Sequence, residues 1–322
     1  MEPKSYVKTL LSIWAFIATI AFGYIFYFNA YYPIPLTNHI SFDAKVKFVR
    51  EKIDPNLVDT MIIGSSIGLN NILGVELDKN AQSVQKTINM SVYGATTLQA
   101  EQLMELMETF PNLKRIIYSV QYSDTPHNWR FKDYDPGLLI RYMRHEQSTI
   151  KYLYTVVKAC VNIPFCYNRQ QTYKSEHLKP NVFESLLFDA SGSVPLKIYG
   201  KDIIGHRWRL AQPNIMSPKS FEAIRRMALK AKSKGIKYYI VHQPYRKELY
   251  DKHAFVRAAM KRFDDLVSGI FQKTDGVLIT TQHLGLHGNK DFADRTHLNI
   301  DGAKTVSRYV AKKIDELEVD DR

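Results

Sequence analysis

The sequence predicts an α/β domain with a mainly parallel sheet, interrupted by an insertion and preceded by one transmembrane helix. Three observations lead to this prediction. Short apolar runs alternate with segments of helical periodicity, which is typical of parallel strands joined by crossover helices. An uncharged apolar run near the N-terminus is long enough to cross a bilayer. Between residues 123 and 214 the regular pattern gives way to an irregular stretch rich in Tyr, Asn, Pro and Arg, which favours an insertion.

Residues 1–32 are predicted to be a membrane anchor, with the transmembrane helix at about residues 10–28. A cleaved signal peptide would have a shorter apolar core followed by small residues. Lys4 and Lys8 precede the run and no basic cluster follows it at once, which predicts a cytoplasmic N-terminus and an extracytoplasmic, periplasmic domain on the cytoplasmic (inner) membrane. The exit of the run carries tyrosines suited to an interfacial belt: Tyr24, Tyr27, Tyr31 and Tyr32.

Regular elements are expected to begin after a linker at residues 33–58, where Pro33 and Pro35 restrict the backbone. A capping box of Thr96 and Gln99 predicts the start of a helix, and another helix is predicted at residues 218–234. The final helix is expected to end in an acidic tail that frays from Asp315. Buried strands are predicted at residues 60–63, 86–90, 114–118, 236–241 and 277–279. The final helix should bury one stripe: Ala303, Val306, Val310 and Ile314.

The formal net charge of +12 would suggest nucleic acid as the partner of a cytosolic protein. No zinc-finger spacing, Walker loop or RNA-binding signature accompanies the charge, so no nucleic-acid partner is predicted. On an extracytoplasmic domain the charge is compatible with lipid headgroups or acidic glycans as partners, although a solvated basic surface is the simpler explanation.

Cys160 and Cys166 are the only cysteines of the chain. An oxidising compartment would permit a small loop disulfide between them, and two buried thiols fit the sequence equally well.

Two separated segments supply residues for a serine-nucleophile site. Ser66 follows a predicted strand in the sequence Gly64-Ser65-Ser66, and Asp294 precedes His297 by three residues. Such an aspartate can hold one imidazole nitrogen while the other nitrogen faces a serine from another strand end. Each half has a simpler explanation, since the first can be an ordinary turn and the second can cap the last helix. A metal site is a further alternative, with these ligands: His283, His287, Asp291, Asp294 and His297.

The order of these segments resembles the SGNH/GDSL hydrolase superfamily over roughly residues 59–314. Gly64-Ser65-Ser66 matches the Gly-Asp-Ser turn of the family, with Ser66 in the position of the nucleophile. Residues 89–97 resemble the second family block, which assigns an oxyanion-hole N–H to Gly94. The third block, usually Gly-x-Asn-Asp, is altered here, and Gln121 stands where the family has an asparagine amide. Asp294 and His297 match the final Asp-x-x-His block.

The resemblance implies a flavodoxin-like three-layer α/β/α sandwich formed by residues 59–122 and 215–316. Residues 123–214 would form a cap, and residues 317–322 a tail. The implied activity is serine-dependent acyl transfer or ester hydrolysis without a cofactor. With the N-terminal anchor, the chain looks most like the branch that contains the D-alanyl-lipoteichoic acid transfer protein and the alginate O-acetyltransferase accessory proteins. Those act beside a membrane-bound O-acyltransferase on an envelope polymer.

The resemblance gives each residue an expected role. Ser66 would attack an acyl carbonyl while His297 takes its proton and Asp294 stabilises the imidazolium. The backbone N–H groups of Ser66 and Gly94, with the Gln121 side chain, would bind the oxyanion. The altered third block also keeps open a catalytically inactive scaffold that binds a glycan or a membrane acyltransferase. Three further residues are predicted to contact the substrate: His242, Tyr245 and Asn299.

Overall fold

The sheet of the computed structural model has five strands, all parallel to their neighbours, in the order β2-β1-β3-β4-β5. The structure describes residues 3–199 and 216–319. This strand order is that of the flavodoxin-like doubly wound fold, and it confirms the predicted fold class. All five predicted strands are present: β1 (Thr60–Gly64), β2 (Thr87–Asn89), β3 (Arg115–Val120), β4 (Lys237–His242) and β5 (Val277–Thr280).

Helices cover both faces of the sheet, so the central strands are buried on both sides. Met61 and Ile63 of β1 face one hydrophobic cluster, while Ile62 between them faces the other. The helices are α1 (Pro3–Tyr31), α2 (Ile40–Lys52), α3 (Ser66–Asn71), α4 (Gly74–Asn80), α5 (Thr97–Glu105), α6 (Pro136–Met143), α7 (Thr149–Ala159), α8 (Ile163–Thr172), α9 (Pro218–Ser233), α10 (Lys247–Lys252), α11 (Ala254–Phe271), α12 (Gly288–Asp291) and α13 (Ile300–Val319).

Local sequence signals account for the helices that frame the sheet. The predicted capping box is present at the start of α5, where Thr96 and Gln99 each bond the backbone N–H of the other. Pro218 stands in the first turn of α9, where its missing N–H costs nothing. The predicted apolar stripe of α13 is fully buried against α4 and the sheet: Ala303, Val306, Val310 and Ile314.

The predicted linker at residues 33–58 is wrong, because α2 occupies half of it and belongs to the core. Phe42, Val46 and Val49 of α2 are fully buried in the hydrophobic cluster that also contains Met61 and Ile63 of β1. Asp43 on the same helix forms a buried ion pair with Arg169 of α8. This helix is not recognised from the sequence because buried charged residues such as Asp43 and Lys45 interrupt its apolar pattern.

The predicted fraying from Asp315 is also wrong for the described residues, since α13 continues to Val319. Asp315 accepts hydrogen bonds from the backbone N–H groups of Gln82 and Ser83, at 2.8 and 2.9 Å. Glu318 accepts two hydrogen bonds of 2.5 Å from the guanidinium of Arg115. The acidic tail is therefore held by charge pairs and caps that apolar periodicity does not show.

The N-terminal region contains one helix, Ser5–Tyr31, that is long and apolar enough to cross a membrane. The irregular stretch from residue 123 contains α6, α7 and α8, followed by a single π-helical turn at Tyr173–His177. Cys160 and Cys166 form a disulfide between α7 and α8. Residues 200–214 of the predicted cap and the end of the predicted tail, residues 320–322, lie outside the described residues.

Candidate active site

Ser66 stands at the C-terminal end of β1, as the first residue of α3. The turn that leads to it needs Gly64, which has φ +154° and no room for a side chain, because a Cβ there would lie 2.4 Å from the Ser119 carbonyl oxygen. Ser65 is the N-cap, and its hydroxyl accepts a hydrogen bond of 3.1 Å from the Ile67 N–H. Strand, turn and cap together fix the direction in which the Ser66 hydroxyl points.

His297 and Asp294 lie on the loop between α12 and α13. A short bridge between Phe292 and Leu298 closes this loop, and the Ala293 N–H donates to the His297 carbonyl oxygen at 2.9 Å. Within the loop, one oxygen of Asp294 accepts from the His297 N–H at 2.7 Å. Because Asp294 precedes His297 by only three residues, its carboxylate is held by the His297 backbone N–H as well as by the imidazole ring.

The structure brings Ser66, His297 and Asp294 into one hydrogen-bonded chain. The distance from His297 Nε2 to Ser66 Oγ is 2.8 Å, and the distance from His297 Nδ1 to Asp294 Oδ2 is 2.7 Å. All three residues are buried, with Ser66 the most accessible at 8% exposure. This is the geometry in which a hydroxyl can pass its proton to an imidazole that a carboxylate orients.

The ionisation of Asp294 determines which ring nitrogen of His297 carries the proton. Burial alone would raise the pKa of this carboxyl, but the neighbouring His297 ring and the hydrogen bonds from His297 and Thr296 lower it to about 2. An ionised carboxylate accepts a hydrogen bond, so the ring carries its proton on Nδ1. Nε2 is then left as the acceptor that faces the Ser66 hydroxyl.

Asn71, in α3, joins the helix that begins at Ser66 to the loop that carries His297, and sequence reasoning missed it. Its side-chain oxygen accepts from the Leu298 N–H at 2.9 Å, and its amide nitrogen donates to the Thr296 carbonyl oxygen at 3.3 Å. These bonds hold the backbone on both sides of His297 against the end of α3. The only available signal was an asparagine five residues after Ser66, which also fits an ordinary helix end.

Of the residues predicted to bind the oxyanion, Gly94 lies at the surface near Ser66, whereas the side chain of Gln121 is engaged elsewhere. Gly94 is exposed, with φ +68°, on the loop after β2. That loop lies beside the turn that leads to Ser66, since the Val92 N–H donates to the Gly64 carbonyl oxygen at 3.2 Å. The amide nitrogen of Gln121 donates to the carbonyl oxygens of Pro244 and Thr296, at 2.9 and 3.4 Å. Contrary to the prediction, Gln121 has no side-chain N–H left for an oxyanion.

The three predicted substrate contacts are wrong, because all three side chains lie in the interior. His242 Nδ1 is 2.6 Å from Asp264 Oδ1. The Tyr245 hydroxyl donates to Ser123 at 3.1 Å. Asn299 accepts at 3.0 Å from the N–H groups of Asp301 and Gly302, at the start of α13. Each residue stabilises a strand end or a helix start and offers no surface to a ligand.

The histidines and carboxylates considered as metal ligands are not gathered into one site. Within residues 3–199 and 216–319, no group of three or more His, Cys, Asp and Glu side chains is placed to hold a metal ion. The His283 ring packs against Tyr309, and Asp291 accepts from the His287 backbone N–H at 3.0 Å. Asp294 and His297 are engaged with each other.

Two further residues border the chain of hydrogen bonds, and sequence reasoning missed both. Phe183, from the predicted cap, packs edge-on against the His297 ring with 4.9 Å between centroids. Asp124 bonds to the Ser65 hydroxyl and lies near His297. Removal from water raises its pKa to about 6, although those contacts and the Gln121 N–H lower it. Neither residue belongs to a recognisable sequence motif.

Comparison with known proteins yields similarity of structure alone. No protein-family model matches the chain, and no curated protein matches its sequence. Two catalytic mutants of Axe2, an acetylxylan esterase from Geobacillus stearothermophilus, align with 12% identity over 80% of this chain and 94% of theirs, each with a TM-score of 0.40. A third Axe2 mutant aligns over the same shares with 12% identity and a TM-score of 0.41. Similarity at this level does not assign an activity to the chain.

Proposed function

We propose that this protein is an SGNH-type serine esterase or O-acyltransferase. The observation that carries the proposal is the chain from Ser66 Oγ through His297 to Asp294, with links of 2.8 and 2.7 Å, at the C-terminal end of a parallel strand. Active sites in open α/β sheets lie outside the carboxyl ends of the strands. The resemblance of four sequence segments to the SGNH/GDSL superfamily supports the same assignment.

The proposed mechanism follows from the positions of the atoms. The Ser66 hydroxyl passes its proton to His297 Nε2 as Ser66 Oγ bonds to the acyl carbonyl carbon, while Asp294 stabilises the imidazolium. Collapse of the tetrahedral intermediate breaks the ester bond, and the departing alcohol takes the proton from Nε2. A water or a sugar hydroxyl then attacks the acyl-serine as it gives its proton to His297 Nε2. Collapse of this second intermediate breaks the bond between Ser66 Oγ and the acyl carbon, returns the proton from Nε2 to Ser66 Oγ, and releases the acid or the acylated sugar. The backbone N–H groups of Ser66 and Gly94 are the proposed oxyanion donors.

We further propose that α1 anchors the protein in the cytoplasmic membrane, with its N-terminus inside and the sheet domain outside. The length and apolar character of residues 5–31 support the anchor, and Lys4 and Lys8 support the orientation. The proposed substrate is an acylated envelope polysaccharide or related glycan, and the proposed partner is a membrane-bound O-acyltransferase. Both follow from the resemblance and from a basic external domain.

A fluorophosphonate probe tests the assignment directly, since it reacts with an activated serine hydroxyl. The purified full-length protein in detergent is treated with the probe, and the modified residue is mapped by mass spectrometry. We expect modification at Ser66, none in Ser66→Ala, and a large loss of labelling rate in His297→Ala. Ser65→Ala is the matched control, because its label should remain on Ser66. A folded protein that takes no label at Ser66 contradicts the proposal.

A second candidate is a catalytically inactive scaffold that binds a glycan or holds a membrane acyltransferase. The engagement of Gln121 with two backbone carbonyls favours it, because one predicted oxyanion donor is missing. A folded Ser66→Ala protein that retains glycan binding or complex formation, together with a wild type that takes no label, would support the scaffold.

A further inference from the structure

The segment that follows β3 carries an exposed pair of aromatic rings, those of His127 and Trp129. The two rings stack with 4.8 Å between centroids and 22° between planes. Both residues are exposed, and 66% of the Trp129 surface is accessible. A tryptophan ring contributes more to binding than almost any other side chain, so an exposed indole that the fold does not use for packing indicates a binding surface. We call residues 126–130 the aromatic loop.

The backbone of the aromatic loop is held at both ends, although its two rings are exposed. Just before the loop, the Thr125 carbonyl oxygen accepts from the Ser220 hydroxyl at 2.8 Å. Near its end, the Trp129 carbonyl oxygen accepts from the Thr96 hydroxyl at 2.9 Å. The stacked His127 ring supports one face of the indole. Because backbone and ring are already held in place, little conformational freedom remains to be lost when a ligand binds.

The aromatic loop lies at the edge of the sheet that carries Ser66. Thr96, which bonds the Trp129 backbone, follows Gly94 by two residues, so the Cα atoms of Trp129 and Gly94 are at most about 15 Å apart. On its other side the loop follows Asp124, which bonds to the Ser65 hydroxyl. Ligands of open α/β sheets bind at this edge. An oligosaccharide spans the distance from Ser66 to the indole ring, whereas a single acyl group does not.

The surroundings of the indole ring fit a sugar better than a protein or a lipid. Within residues 123–149, all of which the structure describes, Trp129 is the only large apolar side chain that is exposed. Proteins and lipid surfaces dock on contiguous apolar patches. A sugar ring instead presents a small apolar face of C–H groups bordered by hydroxyl groups, so it fits one aromatic ring among polar neighbours. The aromatic loop supplies such neighbours in the exposed residues His127, Asn128 and Arg130.

We propose that His127 and Trp129 form a glycan-binding subsite, where one sugar ring of the substrate stacks on the indole while the acylated unit of the same chain lies at Ser66. The inference rests on the proposed function, because acyl chemistry at Ser66 is what brings a chain of sugars to this edge of the sheet. The subsite recognises the polymer and not the acyl group. A small reagent without a sugar therefore reacts with Ser66 independently of Trp129.

Direct binding of polysaccharide tests the subsite without requiring turnover. The probe is the alkali-deacylated polysaccharide fraction from the envelope of the cells that make the protein, with a fluorophore on its reducing end. The parent is full-length Ser66→Ala protein in detergent, to which Trp129→Ala, Trp129→Tyr or Leu57→Ala is added. Leu57 is the matched control, because it is 62% exposed and precedes β1, at the opposite edge of the sheet. Fluorescence anisotropy is measured in about 0.5 M salt, which screens attraction to the basic surface.

We expect Trp129→Ala to weaken binding about tenfold, Trp129→Tyr to keep most of it because an aromatic ring remains, and Leu57→Ala to bind like the parent. With Ser66 restored, Trp129→Ala should take the fluorophosphonate label at the normal rate, because that probe contains no sugar.

The inference fails if the parent binds no polysaccharide, if Trp129→Ala binds like the parent, or if Leu57→Ala weakens binding as much. Slow labelling of Trp129→Ala would also overturn it, because the loop would then act on the nucleophile and not on the glycan. If the wild type takes no label at Ser66 while Trp129→Ala still weakens binding, the proposed acyl chemistry is wrong and the glycan subsite stands.

Discussion

Replacing Gly64 with alanine should destabilise the protein and displace Ser66. The new Cβ would lie 2.4 Å from the Ser119 carbonyl oxygen, whereas ordinary contacts are at least 3.4 Å, so β1 and β3 must separate locally by about 1 Å. The backbone at φ +154° adds strain for any side chain. Overpacking and strain together should cost about 2–6 kcal/mol of unfolding free energy. A displacement of about 1 Å at Ser66 should also slow its reaction about 100-fold.

Two measurements check this prediction: urea unfolding of the detergent-solubilised protein, and the time course of fluorophosphonate labelling. Gly235→Ala is the matched control, because Gly235 has φ +67° but no atom within 4 Å of the position that a Cβ would take. That variant should lose only the stability due to backbone strain, about 1–3 kcal/mol, and should label at the normal rate. If Gly64→Ala unfolds and labels like Gly235→Ala, the close approach of β1 and β3 does not control the nucleophile.

Three further predictions concern charge and hydrogen bonding. The pKa of Asp294 is about 2 in the folded state, against 3.8 for an unperturbed aspartate, so the ionised carboxylate stabilises the fold above about pH 4. This stabilisation, about 2 kcal/mol, is lost as the pH falls toward 2. Asp294→Asn should flatten that part of the stability curve measured by urea unfolding. Arg115→Ala should cost about 3–5 kcal/mol in the same assay, since it removes the cation from the buried carboxylate of Asp59 and the half-buried carboxylate of Glu318. A cost below about 1 kcal/mol would contradict this account. Gln121→Leu should lower stability by about 1–3 kcal/mol while changing the labelling rate less than about tenfold, whereas a loss of about 100-fold or more would restore Gln121 as an oxyanion donor.

Local signals made much of the fold predictable. The strand at β1 is a short apolar run that ends in a glycine turn, and the capping box at Thr96 marks the start of α5 from four residues of sequence. The neighbourhood of Ser66 and His297 was also expected, because the carboxyl ends of parallel strands meet at one edge. Their hydrogen bond joins residues 231 positions apart, so its length was available only from the structure.

The errors arise where distant partners decide the environment of a residue. Asp43 looks like a surface residue of a linker until Arg169, 126 positions away, pairs with it inside the core. From the sequence Gln121 is expected to have a free side-chain amide, but in the structure that amide donates a hydrogen bond to the Pro244 carbonyl oxygen. His242 ends a strand at the expected edge, but its ring turns inward to Asp264. Single-sequence patterns carry no information about such pairings.

Within the described residues, no flexible linker separates α1 from the sheet domain, and this limits how far the domain can move relative to α1. Phe28, Tyr32 and Ile34 are buried in the core, and Lys47 donates to the carbonyl oxygens of Asn29 and Ala30 at the end of α1. A flexible linker of about 26 residues would let a catalytic domain sweep a radius of about 30 Å above its anchor. With α1 fixed in a bilayer, this domain instead holds Ser66 at a constant distance from the membrane surface. Under the proposed function, any acyl donor or acceptor must be delivered to that height, and the protein can search for it only by lateral diffusion in the membrane.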